Sequence, residues 1–227
     1  MNESIRKMSE DAPAGVACRF VRAPLSEELP QALRLWKLAA DESGLLEFNA
    51  VKSDEKVQEV EEVEKAGKAD AEVIARSRAA EHLDEAVQRL ERWWRGDRTA
   101  LEGIDALFSK NLPGSDFEKR VWAATRAIEP AKCASYGDIA KKIGVSGGAQ
   151  AVGNALRKNP LILLTPCHRV LPAEALAKVE RAKRTGDLSF SDVGGFSGAT
   201  SGPLTDLKRA LLVWEAEHFG DRMPSLF

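Results

Sequence analysis

The stretch ASYGDIAKKIGVSGGAQAVGNALRKNPLILLTPCHRV, residues 134–170, decides the reading of the chain. Its first part predicts a short helix with Ile139, Ala140 and Ile143 turned inward, broken at Gly144. A second helix runs from about Gly147 to Arg157, with Ala151, Val152 and Leu156 inward. Two short helices across a tight glycine-containing turn make a helix-turn-helix. The outer side of the second helix carries little bulk, with Gly147, Gly148, Ala149 and Gly153 there. Glycines weaken a helix, so they need a reason. Close approach to a DNA backbone or narrow groove is one, and tight packing between helices is the other. Lys158-Asn159-Pro160 ends the helix and leads into Leu161–Val170, which reads as a buried strand or extended segment. That segment delivers Pro166-Cys167-His168 and then Arg169. A cysteine with a histidine beside it, held by apolar backbone, presents a thiolate nucleophile. Taken alone, such a pair also fits a buried structural cysteine. A groove-binding element directly before a nucleophile changes the balance, because an enzyme acting on a duplex base must take it out of the stack.

The 227 residues provide material for one large domain or two small ones. The net charge of −2 hides an uneven distribution. Residues 1–114 carry 17 basic against 23 acidic side chains, residues 115–170 carry 9 against 4, and residues 171–227 carry 7 against 8. A basic middle in an acidic chain is a candidate polyanion surface. Cys18, Cys133 and Cys167 show neither metal-ligand spacing nor a disulfide framework, so no metal site is expected. No apolar run approaches the ~20 residues that span a bilayer, and MNESIRKMSEDAPAG has no signal-peptide core. A free reactive thiol suits a reducing interior, cytoplasm or nucleus.

Around this centre, residues 1–14 read as a disordered start and Val16–Val21 as a short strand. Pro30–Ala40 has helical spacing around Leu33, Leu35 and Trp36. Lys52–Asp70 is a charged, solvated helix or loop. Ser77–Arg95 is a helix with Ala80, Leu83, Ala86, Val87, Leu90 and Trp94 inward, stopped by Gly96. Asp105–Pro113 is a connector. Asp116–Ile128 is an amphipathic helix on Phe117, Val121, Trp122, Thr125 and Ile128. Leu171–Ser191 is polar, Gly194–Gly198 is a glycine-rich loop around Phe196, and Pro203–Phe219 is a helix burying Leu204, Leu207, Leu211, Leu212 and Trp214. Glu215 lies near that apolar face and needs a partner there; His168 is the candidate.

Residues from about 112 to 218 resemble the O6-alkylguanine-DNA alkyltransferases, the methylated-DNA–protein-cysteine methyltransferases. The resemblance rests on Phe117, Val121-Trp122, Ser135–Ala140, Ala151-Val152-Gly153, Asn159-Pro160, Pro166–Val170, and Lys208 with Leu211-Leu212. It implies two domains. Residues 1–111 would form an α/β domain with a ribonuclease-H-like fold. Residues 112–227 would form a mostly α domain holding the helix-turn-helix and the active-site cysteine, with an insertion near 171–193.

The implied reaction moves an alkyl group from guanine O6 to Cys167, once per molecule, because a thioether does not turn over. His168 would accept the thiol proton through a water, Glu215 would orient His168, and Asn159 would tie the helix exit to the site. Tyr136 would donate to the leaving base. Ser135, Gly148, Ala149, Gln150, Gly153 and Arg157 would meet double-stranded DNA in its minor groove. Val170, Phe196 and Ser197 would line the pocket for the flipped alkylated guanine. No cofactor is implied, and the front half offers only Cys18 and His82 toward the zinc that some members bind. The chain would act as a monomer.

Gln150 stands where the family usually has an arginine that fills the space of the flipped base. That departure leaves open a lesion-binding sensor with weak or no transfer. A helix-turn-helix regulator would need base-reading side chains where this helix is small and uncharged, and a Cys-His-Glu hydrolase would need a fold signature that is missing here.

Overall fold

Strand pairing organises the front of the chain. The computed structural model describes residues 17–22, 35–50, 78–185 and 193–220, which fall into two compact units, 1–113 and 114–227. In the first unit, β1 (Ala17–Arg22), β2 (Leu35–Asp41) and β3 (Gly44–Ala50) form an antiparallel sheet in that order. Leu38 sits opposite both Arg19 and Phe48. The helical spacing of Pro30–Ala40 is therefore misleading, since 35–41 is the central strand. Trp36, Leu38 and Ala40 alternate into the core while Lys37 faces outward to Glu47, and pairing on both edges outweighs local propensity. Residues 1–14 and the charged stretch 52–70 lie outside the described residues.

The helix α1 (Arg78–Trp94) packs on this sheet through Ala79, Ala80, Leu83, Ala86, Leu90 and Trp93. Trp93, not Trp94, is the buried member of the pair; Trp94 meets it edge-on at 4.5 Å between ring centroids. The three-residue step from Leu90 aims Trp93 inward. The connector after α1 is pinned to the β2–β3 turn. Asp41 accepts from Ser109 Oγ (2.9 Å) and Asn111 Nδ2 (2.9 Å). Gly44, at φ 137°, leaves no room for a side chain, because a Cβ there would lie 2.3 Å from the Leu107 carbonyl oxygen.

The second unit opens with α2 (Asp116–Arg126). Its start is written as Ser115-x-x-Glu118, a capping box with both reciprocal bonds present. The strand pair β4 (Ala134–Ser135) and β5 (Val170–Leu171) runs parallel. Helices α3 (Tyr136–Lys142) and α4 (Ala149–Arg157) follow β4 directly. Both pack on α2, and the Trp122 indole donates to the Ala155 carbonyl at 2.9 Å. On α4 the inward set is Val152, Ala155 and Leu156; Ala151 is exposed.

Residues 161–169 are buried but form no strand; only Val170, which opens β5, is extended. Leu163 has φ 72°, Thr165 N–H donates to the Leu161 carbonyl, and Cys167–Arg169 form a 3₁₀ turn. Bulk hydrophobicity reports burial there, not conformation.

Of the polar stretch 171–191 after the cysteine, residues 186–191 lie outside the described residues. Ala173–Thr185 forms helix α5, and its Ala175 and Val179 pack with Leu171, Val193 and Leu212. Helix α6 (Pro203–Phe219) completes the unit. Among the described residues no helix is long and apolar enough to cross a membrane. Val179→Asp is expected to lower stability by about 3 kcal/mol in urea unfolding, because it places a carboxylate in an apolar cluster. A change below about 0.5 kcal/mol would return α5 to the status of a solvated surface element.

Candidate active site

The site is built where the 161–171 segment meets α6, α3 and the end of α4. Asn159 caps the approach. Its Nδ2 donates to the Thr165 carbonyl (2.9 Å) and to Cys167 Sγ (3.3 Å), while its Oδ1 accepts from Leu161 N–H (3.0 Å). One buried amide thus shapes the turn and touches the sulfur. Cys167 is 6% exposed. Burial pushes its thiol up from the ordinary value, and the Asn159 hydrogen bond and the Lys208 charge offset part of that.

Behind the cysteine, Glu215 of α6 gathers four groups. His168 Nε2 lies 2.8 Å from Oε1, Arg169 Nε lies 3.0 Å from each oxygen, Arg169 Nη2 lies 2.7 Å from Oε1, and Ala131 N–H donates to Oε2 at 3.0 Å. The second arm of Arg169 reaches the Ile128 carbonyl at 2.6 Å. Burial alone would raise the Glu215 pKa, but the pull of His168, the charge of Arg169 and the hydrogen bonds from both hold it down to about 2. The carboxylate is therefore ionised and only accepts, so Nε2 of His168 carries the proton. Nδ1 is then the basic nitrogen. It is buried with no hydrogen-bond partner. Burial pulls the His168 pKa down, against the pull of Glu215, which keeps the ring neutral and basic near pH 7.

Tyr136 opens α3. Ser135 sets it there: the Ser135 hydroxyl donates to Asp138 Oδ2 (2.7 Å) and accepts from Asp138 N–H (3.0 Å). Ser135 is buried and its hydroxyl proton is engaged in this cap, so it positions Tyr136. Burial, and then the charge on Cys167, push the Tyr136 pKa up to about 12. Tyr136, Ala149, Gln150 and Gly153 line a depression of about 210 Å³.

The small residues of the outer face divide by cause. Gly147 sits at φ 79° with open space around it, so the turn requires it. A Cβ on Gly148 would lie 2.8 Å from Val145 Cγ1 and 2.9 Å from the Val145 carbonyl oxygen, so packing requires it. A Cβ on Gly153 would make ordinary contact with Tyr136 at 3.8 Å. Only Gly153 has no internal reason to be glycine.

The loop beyond α5 completes the surroundings. Phe196 and Ala199 exchange both backbone hydrogen bonds, and Ser197 and Gly198 take φ 50° and 91°. This turn buries Phe196 and leaves Ser197 half-exposed. The stem of Arg157 lies against Gly198, with Cγ and Cδ just over 3 Å from where a Cβ would be. The Val170 carbonyl is already engaged by Lys208 Nζ at 2.9 Å.

Two residues of the site escape a sequence reading of roles, Arg169 and Lys208. The signal for both is a charge on an apolar stretch. Arg169 follows ten residues with no full charge, 159–168, and Lys208 lies on the same buried side of α6 as Leu207, Leu211 and Glu215. Among the described residues no group of three or more His, Cys, Asp or Glu could hold a metal ion.

Known proteins resemble this chain in sequence and in fold. Residues 116–186 match the 6-O-methylguanine DNA methyltransferase, DNA binding domain, family. A methylated-DNA–protein-cysteine methyltransferase of Mycobacterium bovis is 34% identical over 121 residues, covering 47% of this chain and 70% of the relative. One from Methanosarcina acetivorans is 32% identical over 160 residues, covering 70% of this chain and 86% of the relative. The crystal structure of Mycobacterium tuberculosis O6-methylguanine methyltransferase superposes with a TM-score of 0.53 at 25% identity, covering 89% of this chain and 94% of that one. On the extent and identity of these matches, the chain belongs to the methylated-DNA–protein-cysteine methyltransferase family.

Proposed function

We propose that the chain repairs DNA directly by transferring an alkyl group from O6 of guanine to Cys167, irreversibly and once per molecule. The observation that carries this reading is the state of His168. Its Nε2 is held by an ionised Glu215, and its buried Nδ1 lone pair stands next in sequence to the cysteine. The thiol proton passes to Nδ1 through a water. The sulfur then attacks the alkyl carbon in line, the S–C bond forms, and the C–O6 bond breaks. Negative charge moves onto the leaving guanine. Tyr136, neutral with its pKa near 12, has a proton to offer toward N3. The product thioether has no route back to a thiol.

The recognition reading follows from the same elements. Helices α3 and α4 act as a helix-turn-helix, with α4 laid in the minor groove of double-stranded DNA. Gly148, Ala149, Gln150 and Gly153 face the duplex and Arg157 meets its backbone. Gln150 is exposed at the depression beside Tyr136. It takes the space of the flipped base with a neutral amide where the family usually has arginine. The alkylated guanine turns into a pocket of Val170, Phe196 and Ser197. Residues 112–227 are the reactive domain, with 171–193 inserted beside the pocket, and the front domain, 1–111, has a ribonuclease-H-like topology. The protein works as a monomer, without cofactor, in a reducing interior of cytoplasm or nucleus.

The direct test is intact mass after incubation with a duplex containing O6-methylguanine. A gain of about 14 Da, at most one per chain and mapped to Cys167, is expected. Cys167→Ala should abolish the gain and keep duplex affinity; equal loss of both would remove Cys167 as acceptor. The transfer rate should be flat from about pH 7 to about pH 8.5 and fall below about pH 6.5. Neutral His168 is the base and its depressed pKa lies on the acid side, so acid removes the base. In His168→Gln the rate should instead climb with pH, because the buried thiol must ionise unaided. A profile identical to wild type would exclude His168 as the base. Gly153→Ala should stabilise the fold by about 1 kcal/mol through helix propensity yet weaken duplex binding, as read from urea titration and duplex anisotropy. Unchanged binding would place the DNA elsewhere.

A further inference from the structure

Lys208 is wholly buried on α6, and its ammonium reaches two segments at once. Nζ donates to the Val170 carbonyl at 2.9 Å and to the Gly195 carbonyl at 3.2 Å. Val170 follows the Cys167–Arg169 turn, and Gly195 precedes Phe196. The same Nζ lies 5.9 Å from the centroid of the Tyr136 ring, within the range of cation–π attraction. One cation therefore joins the segment that carries the cysteine to the Gly195 loop and lies near the Tyr136 ring.

We propose that Lys208 is a positioning residue for alkyl transfer: it clamps the Val170 and Gly195 segments about the pocket and supplies the positive field in which the Cys167 thiolate forms. This rests on Cys167 being the alkyl acceptor. A fixed positive charge in a site of low dielectric favours a nearby anion more strongly than it would in water, and Lys208 draws the Cys167 thiol toward ionisation against its burial. The other polar and charged groups around the pair are Tyr136 from α3, Asn159 at the end of α4, His168 and Arg169 in the turn, and Glu215 from α6. Glu215 already binds Arg169 through three contacts and His168 through one. Its charge is directed at those two, on the far side of the histidine from Nδ1. Lys208 is the cation whose field falls on the sulfur.

The experiment compares Lys208→Gln, which keeps N–H donors for the two carbonyls and removes the charge, with Lys208→Arg, which keeps the charge. The full chain is treated with iodoacetamide across the alkaline range, and carboxamidomethylation of Cys167 is followed by peptide mapping. Lys208→Gln should move the alkaline rise of the Cys167 rate upward by about one pH unit, and slow methyl transfer from an O6-methylguanine duplex about tenfold at neutral pH with duplex affinity unchanged. Lys208→Arg should keep the rise at the wild-type position. An unmoved rise in Lys208→Gln, or equal shifts in both variants, overturns the proposal. A second measurement needs no variant: the Lys208 side-chain Cε NMR signal of wild type should titrate with the midpoint at which Cys167 reacts, and a signal indifferent to that ionisation overturns the proposal as well. The iodoacetamide profile reads the thiol without alkylguanine. A wild-type chain that fails to transfer methyl would thus sink the repair reading, while a shifted Lys208→Gln profile would still uphold the field.

Discussion

A buried carboxylate holds the reactive half of this protein together. Glu215 is fully enclosed, and an isolated charge there would be untenable. It is stable because a guanidinium, an imidazole N–H and a backbone N–H converge on its two oxygens. The partners come from two places: Ala131 from the loop after α2, and His168 and Arg169 from the turn that carries the nucleophile. Ala131 takes φ 62°, an uncommon conformation for a residue with a side chain, and donates to the carboxylate from it. The fold of the turn and the chemistry of the site thus share one anchor. Removing either partner of the Glu215–Arg169 pair would leave a buried charge, at a cost of about 3–5 kcal/mol.

The resting electrostatics fit a reaction that happens once. Burial raises the thiol and lowers the imidazole, so both are neutral before substrate arrives. A permanently exposed thiolate would be spent on oxidants and stray electrophiles. Here the nucleophile is latent. On the proposed mechanism the proton leaves into a base that Glu215 has already given the right tautomer, and Lys208 and Asn159 stabilise the anion that results. Desolvation protects the thiol, and the same polar groups that lower its cost make it reactive.

How much of this is legible in the sequence depends on how local the cause is. Helix α6 is legible because Leu207, Leu211, Leu212, Trp214 and Glu215 follow a helical period under a Gly-Pro start. The paired helices α3 and α4 are legible through the inward spacing of Ile139, Ala140, Val152 and Leu156 and the glycine turn between them. The cysteine, its histidine and the remote Glu215 are legible because a carboxylate on an apolar face requires a partner. Strand β2 is not, since what makes 35–41 extended is pairing with β1 and β3, and neither lies within its own window. Residues 161–165 are not, because five apolar or β-favouring residues report burial while Asn159 dictates the turn. Helix α5 hides behind its charges; Ala175 and Val179 are few, and only the cluster they complete reveals them.

The glycines of α4 show how composition blends separate causes. Gly147, Gly148 and Gly153 look like one small face shaped for one purpose. Gly147 answers to backbone conformation and Gly148 to the side chain of Val145, which leaves Gly153 as the residue whose smallness faces outward. It opens the depression between Tyr136 and Gln150. On the proposed DNA-binding reading, a small, uncharged patch at that point would let a duplex approach the helix closely, leaving phosphate attraction to basic residues elsewhere in the unit. Close approach by small residues and attraction by charged ones are then separable. On that reading, with glutamine in place of the usual arginine, this chain would rely on fit more than on charge where the proposed base leaves the stack.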